Sequence, residues 1–272
     1  MLIKALRACI YSNILVSFSA AFLVYGFTTF LKAPDAIFYT FCVFGATLFT
    51  YNLQRFFRVK DLENKPSIRH QWIIKNKRVV FTLMLLGFVT AVYFYFIFLF
   101  ETLSFLFLTF FGLISVFYAW RNKSKTIREL PFIKIHLIAL SWMGVCFAWP
   151  LINENKLFFD AWWTLIFVYC YFIAITIPFD IRDLPYDLNK QKTIPQLIGI
   201  KASKGLSIFL LLVSHGALPL FIENALINPY LYLSLFGQVL FVLKANKKAP
   251  EMFYSGFIDG WIIFFGFFWM TV

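Results

Sequence analysis

Charge is scarce in this chain of 272 residues: Asp, Glu, Lys and Arg together make up 14% of it, where a soluble domain carries roughly a quarter. With 61% apolar and 22% aromatic residues, there is too little polar surface to cover a water-soluble globule. Acids are scarcer still, 13 against 25 Lys and Arg, which leaves a net charge of +12. That excess taken alone suits a nucleic-acid binder. In so apolar a chain it equally suits basic residues placed in cytoplasmic loops, and their positions decide the matter. Paired cysteines are missing too. Cys9, Cys42, Cys146 and Cys170 form no CxxC and lie near no His at ligand spacing, so the sequence supports neither a zinc centre nor a disulfide framework. They read as small packing residues. His70, His136 and His215 are isolated and read as packing or interfacial side chains. No low-complexity segment or soluble region interrupts the chain, so 1–272 reads as a single transmembrane helical domain.

What is present is a series of long apolar runs. A helix needs about 20 apolar residues to cross hydrocarbon, and on that rule nine spans are expected: 10–31, 36–57, 79–100, 103–120, 133–152, 161–179, 205–222, 229–243 and 253–272. The first follows Lys4 and Arg7 as a signal peptide would, but its apolar run is too long for a signal core. A β-barrel needs short alternating strands, whereas these segments are apolar on all sides. The fold class is therefore all-α and polytopic, with 38 Phe suited to a lipid-facing surface. The basic residues now serve as an independent check. All but Lys32 and Lys156 of the 25 fall on alternate connections, beginning with the N-terminal tail. That asymmetry places the N-terminus in the cytoplasm and the C-terminus outside, in the cell (inner) membrane. It removes the need for nucleic acid as a partner. The longer, charged connections 58–78, 121–134 and 180–204 all fall on the cytoplasmic side, where function is expected.

The sharpest local pattern closes the sixth span. Asp180, Asp183 and Asp187 are spaced i, i+3 and i+7 in a chain with only 13 acids. On a continuing helix they share one face, although Pro185 disfavours that continuation as far as Asp187. Carboxylates gathered at one helix end repel one another, and a hard cation such as Mg²⁺ would relieve the repulsion, commonly with substrate phosphates completing its shell. The alternative is a polar helix end at the headgroups. Lys192-Thr193-Ile194-Pro195 and Gly199 follow.

This compound pattern resembles the second aspartate-rich motif of the UbiA superfamily of intramembrane prenyltransferases, DxxDxxxD followed by a basic residue and Thr-aliphatic-Pro. Tyr118 to Lys123 looks like the family's Tyr-x5-basic segment, whose cation faces the diphosphate, although interfacial aromatics beside cytoplasmic bases would look the same. The family's first motif, Asn-Asp-x-x-Asp-x-x-x-Asp, falls on 51–61. Here Asn52 matches and only Asp61, shifted by one, can stand for an acid. Leu53, Phe56 and Phe57 cannot bind metal, and Arg55 brings positive charge where the family keeps negative.

The resemblance implies a nine-helix bundle that moves a prenyl group from a prenyl diphosphate to a membrane-soluble acceptor within the lipid bilayer. It implies Mg²⁺ on Asp180, Asp183 and Asp187, with Asp180 and Asp183 essential to catalysis. It further implies diphosphate contacts from Asn52, Arg55, Lys123 and Lys192, with Asp61 and Tyr118 as further candidates. The altered first motif leaves a second expectation open, a catalytically inactive relative that binds a prenyl lipid or assists a membrane complex. It also leaves two readings of Arg55, Arg58, Lys60, Lys65 and Arg69: direct phosphate contacts in place of a metal, or charge that topology alone puts there. Asp259, inside the ninth span, is expected to hydrogen-bond Ser or Tyr groups of a neighbouring helix, or else to meet substrate. A transporter would carry charges or broken helices at mid-membrane; here the acids cluster at cytoplasmic ends.

Overall fold

The structure, a computed structural model, describes residues 2–59, 68–119, 132–157, 159–185 and 192–272, and every regular element among them is helical. In chain order these are α1 (Leu2–Tyr11), α2 (Ile14–Phe30), α3 (Ala36–Val59), α4 (Ile68–Lys75), α5 (Lys77–Phe94) and α6 (Thr102–Ala119). Then follow α7 (Ile133–Met143), α8 (Trp149–Asn153), α9 (Phe159–Asp183), α10 (Ile194–Ala217), α11 (Pro229–Lys244) and α12 (Asp259–Thr271). Three π-helical stretches continue or join them: Tyr95–Leu99 after α5, Gly144–Ala148 between α7 and α8, and Phe253–Ile258 before α12.

Six helices are long and apolar enough to cross a membrane unaided: Ala36–Phe57, Lys77–Leu99, Ile133–Asn153, Ala161–Asp183, Ile194–Leu220 and Phe253–Thr271. Thr102–Tyr118 and Pro229–Lys244 are apolar but shorter; they coincide with the fourth and eighth expected segments.

The first expected span is corrected. Instead of one helix over 10–31, α1 and α2 meet at a 65° bend. Asn13 occupies the left-handed region at φ 65°, which Asn tolerates better than most residues. Its buried side-chain amide donates to Asn52 Oδ1 at 2.9 Å. The bend lays α1, with exposed Lys4 and Arg7, away from the axis of α2. Two further corrections matter for the site. The connection 58–78 contains α4, and α9 runs four residues past the expected end at 179, as far as Asp183.

Glycines bring the helices together. A Cβ on Gly26 of α2 would lie 2.1 Å from the carbonyl oxygen of Gly266 on α12, and one on Gly45 of α3 would lie 2.6 Å from that of Gly87 on α5. Close backbone approach through small residues is how helices associate where lipid removes the hydrophobic driving force. The outer faces of α5 and α6 expose Phe81, Leu85, Phe88, Leu106, Phe110 and Phe117, as a lipid-facing surface requires.

Pro178 lies inside α9 and cannot supply the N–H that the Ala174 carbonyl needs. Ser207 of α10 fills the gap, its hydroxyl donating to Ala174 O at 2.7 Å. At the end of the bundle marked by the start of α3, Tyr39 donates to Glu154 at 2.8 Å and accepts from Asn153 at 2.7 Å, and Ser104 donates to Asn153 at 2.8 Å. The candidate site lies at the opposite end.

Candidate functional site

Between α1, α2, α3, α4, α6, α7, α9, α12 and the π stretch before α12 lies a cavity of about 230 Å³. Its inner walls are apolar and aromatic, including Val16, Ala20, Ile138, Trp142, Phe172 and Ile262, while its other end gathers Gln54, Arg55, Arg69, Lys134, Arg182 and Asp183. A cavity with one ionic end and a long apolar body matches an amphiphile: a polyanionic head and a hydrocarbon chain.

The second motif supplies one corner. Because α9 stays helical to Asp183, Asp180 and Asp183 share a face, as the i, i+3 spacing predicts. Lys134, near the start of α7 and 6% exposed, sits between them. Its Nζ lies 2.7 Å from Asp180 Oδ1 and 3.3 Å from Asp183 Oδ2. Asp183 also accepts from Arg182 Nε at 2.8 Å. The Arg182 guanidinium lies 5.1 Å from the ring of Phe179 and 5.4 Å from that of Tyr254, close enough for cation–π attraction. Its Nη1 is buried and has no hydrogen-bond partner among the described residues.

Asp180 and Asp183 differ in one respect that the spacing does not reveal. Asp183 lines the large cavity; buried Asp180 lines a separate space of about 40 Å³ with Lys192, Thr193 and Phe132. Lys192 is exposed. The Thr193-Ile194-Pro195 step opens α10, where Gln196 Oε1 accepts the Thr193 N–H at 3.0 Å, one half of a capping box. Gly199 adopts φ 78° at a kink in α10, in the left-handed region open to glycine. These motif residues therefore have a clear role in shaping the chain after α9.

The first motif behaves differently from expectation. Asn52 is wholly buried and does not line the cavity; its amide donates to Ser12 O at 3.0 Å and Leu48 O at 2.8 Å. The Ser12 contact, together with the Asn13 bond, makes it a brace of the α1–α2 bend rather than a diphosphate ligand. Arg55 and Tyr118 do line the cavity. Asp61, Lys123 and Asp187 lie outside the described residues.

Sequence reasoning did not single out Asn13, Lys134 or Arg182, and left Arg69 between two readings. Arg69 is 2% exposed on α4 and reaches across to three other segments. It donates to Ser255 Oγ at 3.0 Å, to Ile10 O at 3.2 Å and to Asn13 Oδ1. Glu251 is 3.7 Å away. Burial pulls the guanidinium pKa below its ordinary value, with Glu251 opposing that shift. A polar residue inside an apolar run was the available signal for Asn13, and a base inside a charged loop was the signal for Arg69. Asp259 also lines the cavity. Among the described residues its carboxylate has no Ser or Tyr partner, contrary to the hydrogen-bonded reading.

The resemblance implies magnesium, and the donor set can be tested for it. Among the described residues no three His, Cys, Asp or Glu side chains group together at metal-binding distance. Asp180 and Asp183 already share a lysine ammonium, so a divalent ion between them would have to displace Lys134. At the first motif Leu53 and Phe56 offer no donor. The described side chains do not form a cradle for Mg²⁺.

Fold and site thus define a polytopic helical membrane protein with a cation-lined amphiphilic cavity. No protein-family model matches the chain, and no curated protein matches it in sequence. Its fold is similar to a solved structure of a digeranylgeranylglyceryl phosphate synthase of membranes, with a TM-score of 0.55 and 16% identity, covering 98% of this chain and 99% of that one.

Proposed function

We propose that this protein is a UbiA-like intramembrane prenyltransferase that moves a prenyl group from its diphosphate to a lipophilic acceptor. The observation that carries the reading is the cavity, with cations at one end and an apolar, aromatic body behind them. The fold neighbour adds support, since its product name denotes geranylgeranyl groups on a glyceryl phosphate. Nine spans, a cytoplasmic N-terminus, an outer C-terminus and a place in the inner membrane belong to the same proposal.

In this reading the diphosphate sits among Arg55, Arg69, Lys134 and Arg182, and the prenyl chain lies along the apolar wall. The C1–O bond breaks with its electron pair leaving on the diphosphate, and the fixed cations stabilise the charge that develops there. Aromatic and apolar walls keep water from the allylic cation. The acceptor's lone pair or π electrons form the new bond to C1, and the proton it loses passes to Asp259. Asp183 holds Arg182 and Lys134 in place. Asp180 acts one step back, by fixing Lys134.

The test is release of inorganic diphosphate from geranylgeranyl diphosphate by the protein in nanodiscs, with membrane lipid extract supplying the acceptor. Asp183→Asn is expected to lower turnover by at least about a hundredfold, the scale of one lost electrostatic anchor. Turnover unchanged in Asp183→Asn would overturn the mechanism. A second reading, a non-catalytic relative that binds a prenyl lipid, is favoured by Leu53 and Phe56 where acids would stand. Saturable binding of the diphosphate without turnover on any acceptor would establish it instead.

A further inference from the structure

The four basic residues at the ionic end of the cavity come from four different helices: Arg55 from α3, Arg69 from α4, Lys134 from α7 and Arg182 from α9. Topology alone puts basic residues near the membrane surface; it does not bury them or make them converge on one hollow. Arg69 is as buried as a core leucine, and its short hydrogen bonds go to neutral acceptors. Its Nε and the Nη1 of Arg182 are buried donors with no hydrogen-bond partner among the described residues. Among the described residues, two acids, Asp183 and Asp259, line the same cavity. Buried charge and unsatisfied donors are costly unless a ligand completes them, and the planar guanidinium fork matches phosphate oxygens in pairs.

Resting on the prenyl diphosphate reading above, we propose that the diphosphate is bound directly by Arg55, Arg69 and Arg182, without a divalent cation. The guanidinium groups occupy the role that a metal bridge would serve, on the side of the cavity that Arg55 lines and Leu53 and Phe56 do not. A divalent ion entering this end meets four fixed positive charges and, among the described residues, no cradle of three carboxylates. A substrate with two adjacent phosphoryl groups meets donors from three separate helices. Binding therefore ties α3, α4 and α9 together at the cavity mouth. Arg69 also spans from α4 to the α1–α2 bend, so occupancy of the site is coupled to the order of that bend.

The experiment measures the affinity of the full-length protein in nanodiscs for geranylgeranyl S-thiolodiphosphate, an analogue that resists ionisation, by calorimetry in EDTA and again in excess Mg²⁺. The two affinities are expected to agree within about threefold, and inorganic diphosphate is expected to compete in EDTA. Arg69→Gln and Arg182→Gln should each weaken binding in EDTA by about tenfold or more. Arg69→Lys, which keeps the charge but loses the fork, guards against a folding defect and should fall between Arg69→Gln and wild type. Binding that vanishes in EDTA and returns with Mg²⁺ overturns the metal-free site while leaving the prenyl diphosphate reading intact. No binding in either condition overturns both. Wild-type affinity in both Gln variants overturns the assignment to the arginines.

Discussion

Lys134 is a single side chain on which two carboxylates and two elements depend. It is 6% exposed, and the Asp180 it contacts at 2.7 Å is 1% exposed. Removing one partner of such a pair leaves an uncompensated buried charge, which costs about 3–5 kcal/mol, while removing both restores most of the loss. Lys134→Gln is therefore expected to destabilise the protein by roughly that amount. The double variant Lys134→Gln with Asp180→Asn is expected to recover most of it, and thermal unfolding in detergent measures both. Equal destabilisation in the single and double variants would mean that the pair is not coupled. The sequence could not have separated Asp180 from Asp183, because i, i+3 spacing assigns a face and not a cavity. Only the packing of α7 against α9 turns one acid toward the large cavity and the other toward Lys192. Asn52 makes the same point from the other direction. It matches a motif position, yet two of its hydrogen bonds, with Asn13 and Ser12, serve the bend, and the third stays within α3.

At the scale of the helix, apolar length and composition were sufficient to read where α3, α5, α9 and α12 run. They were blind to three features that build the site. The break at Asn13 depends on Asn52, 39 residues away, and on Arg69, 56 residues away. The π stretches Gly144–Ala148 and Phe253–Ile258 change which side chains face inward, bringing Val145, Cys146 and Ser255 to the cavity wall; such insertions recur at functional sites and leave no periodic trace in an all-apolar segment. The third feature is Pro178, placed just before the acids. The helix α9 continues through it because Ser207 satisfies the freed Ala174 carbonyl. Interhelical hydrogen bonds in membranes contribute about 0.6 kcal/mol on average and up to about 1.7. Ser207→Ala, which leaves that carbonyl without its side-chain donor, is expected at the upper end, near about 1.5 kcal/mol. Its effect should be absent in a Pro178→Ala background, where the backbone N–H returns. A double-mutant cycle by thermal unfolding checks this, and purely additive losses would show that the serine acts by some other contact.

At the scale of the whole molecule, the cavity's ionic end and the direction of the chain make one argument about orientation. Arg55 lies near the end of α3, Lys134 at the start of α7 and Arg182 at the end of α9, while Tyr39, Ser104, Asn153 and Glu154 mark the opposite end. In the proposed orientation, which rests on the bias of basic residues, the ionic end faces the cytoplasm, where the proposed diphosphate would arrive from water and its hydrocarbon chain would enter between helices. Parity then becomes testable. The bent α1–α2 pair, six unaided helices and two shorter ones give nine crossings, an odd number, if all of them cross, and the loss of any one makes the number even. Alkaline phosphatase, active only outside the cytoplasm, fused after Val272 is expected to be active, and fused after Lys247 to be inactive. Green fluorescent protein, which fluoresces only in the cytoplasm, should give the reverse pattern at the two positions. Activity of the phosphatase at Lys247 and fluorescence at Val272 would invert the bundle and put the cationic mouth outside. The same report at both positions would mean that α12 does not cross at all. The pair of fusions also tests the short helices indirectly: with the N-terminus fixed by a cytoplasmic tag, loss of either Thr102–Tyr118 or Pro229–Lys244 as a crossing flips the expected side of both junctions.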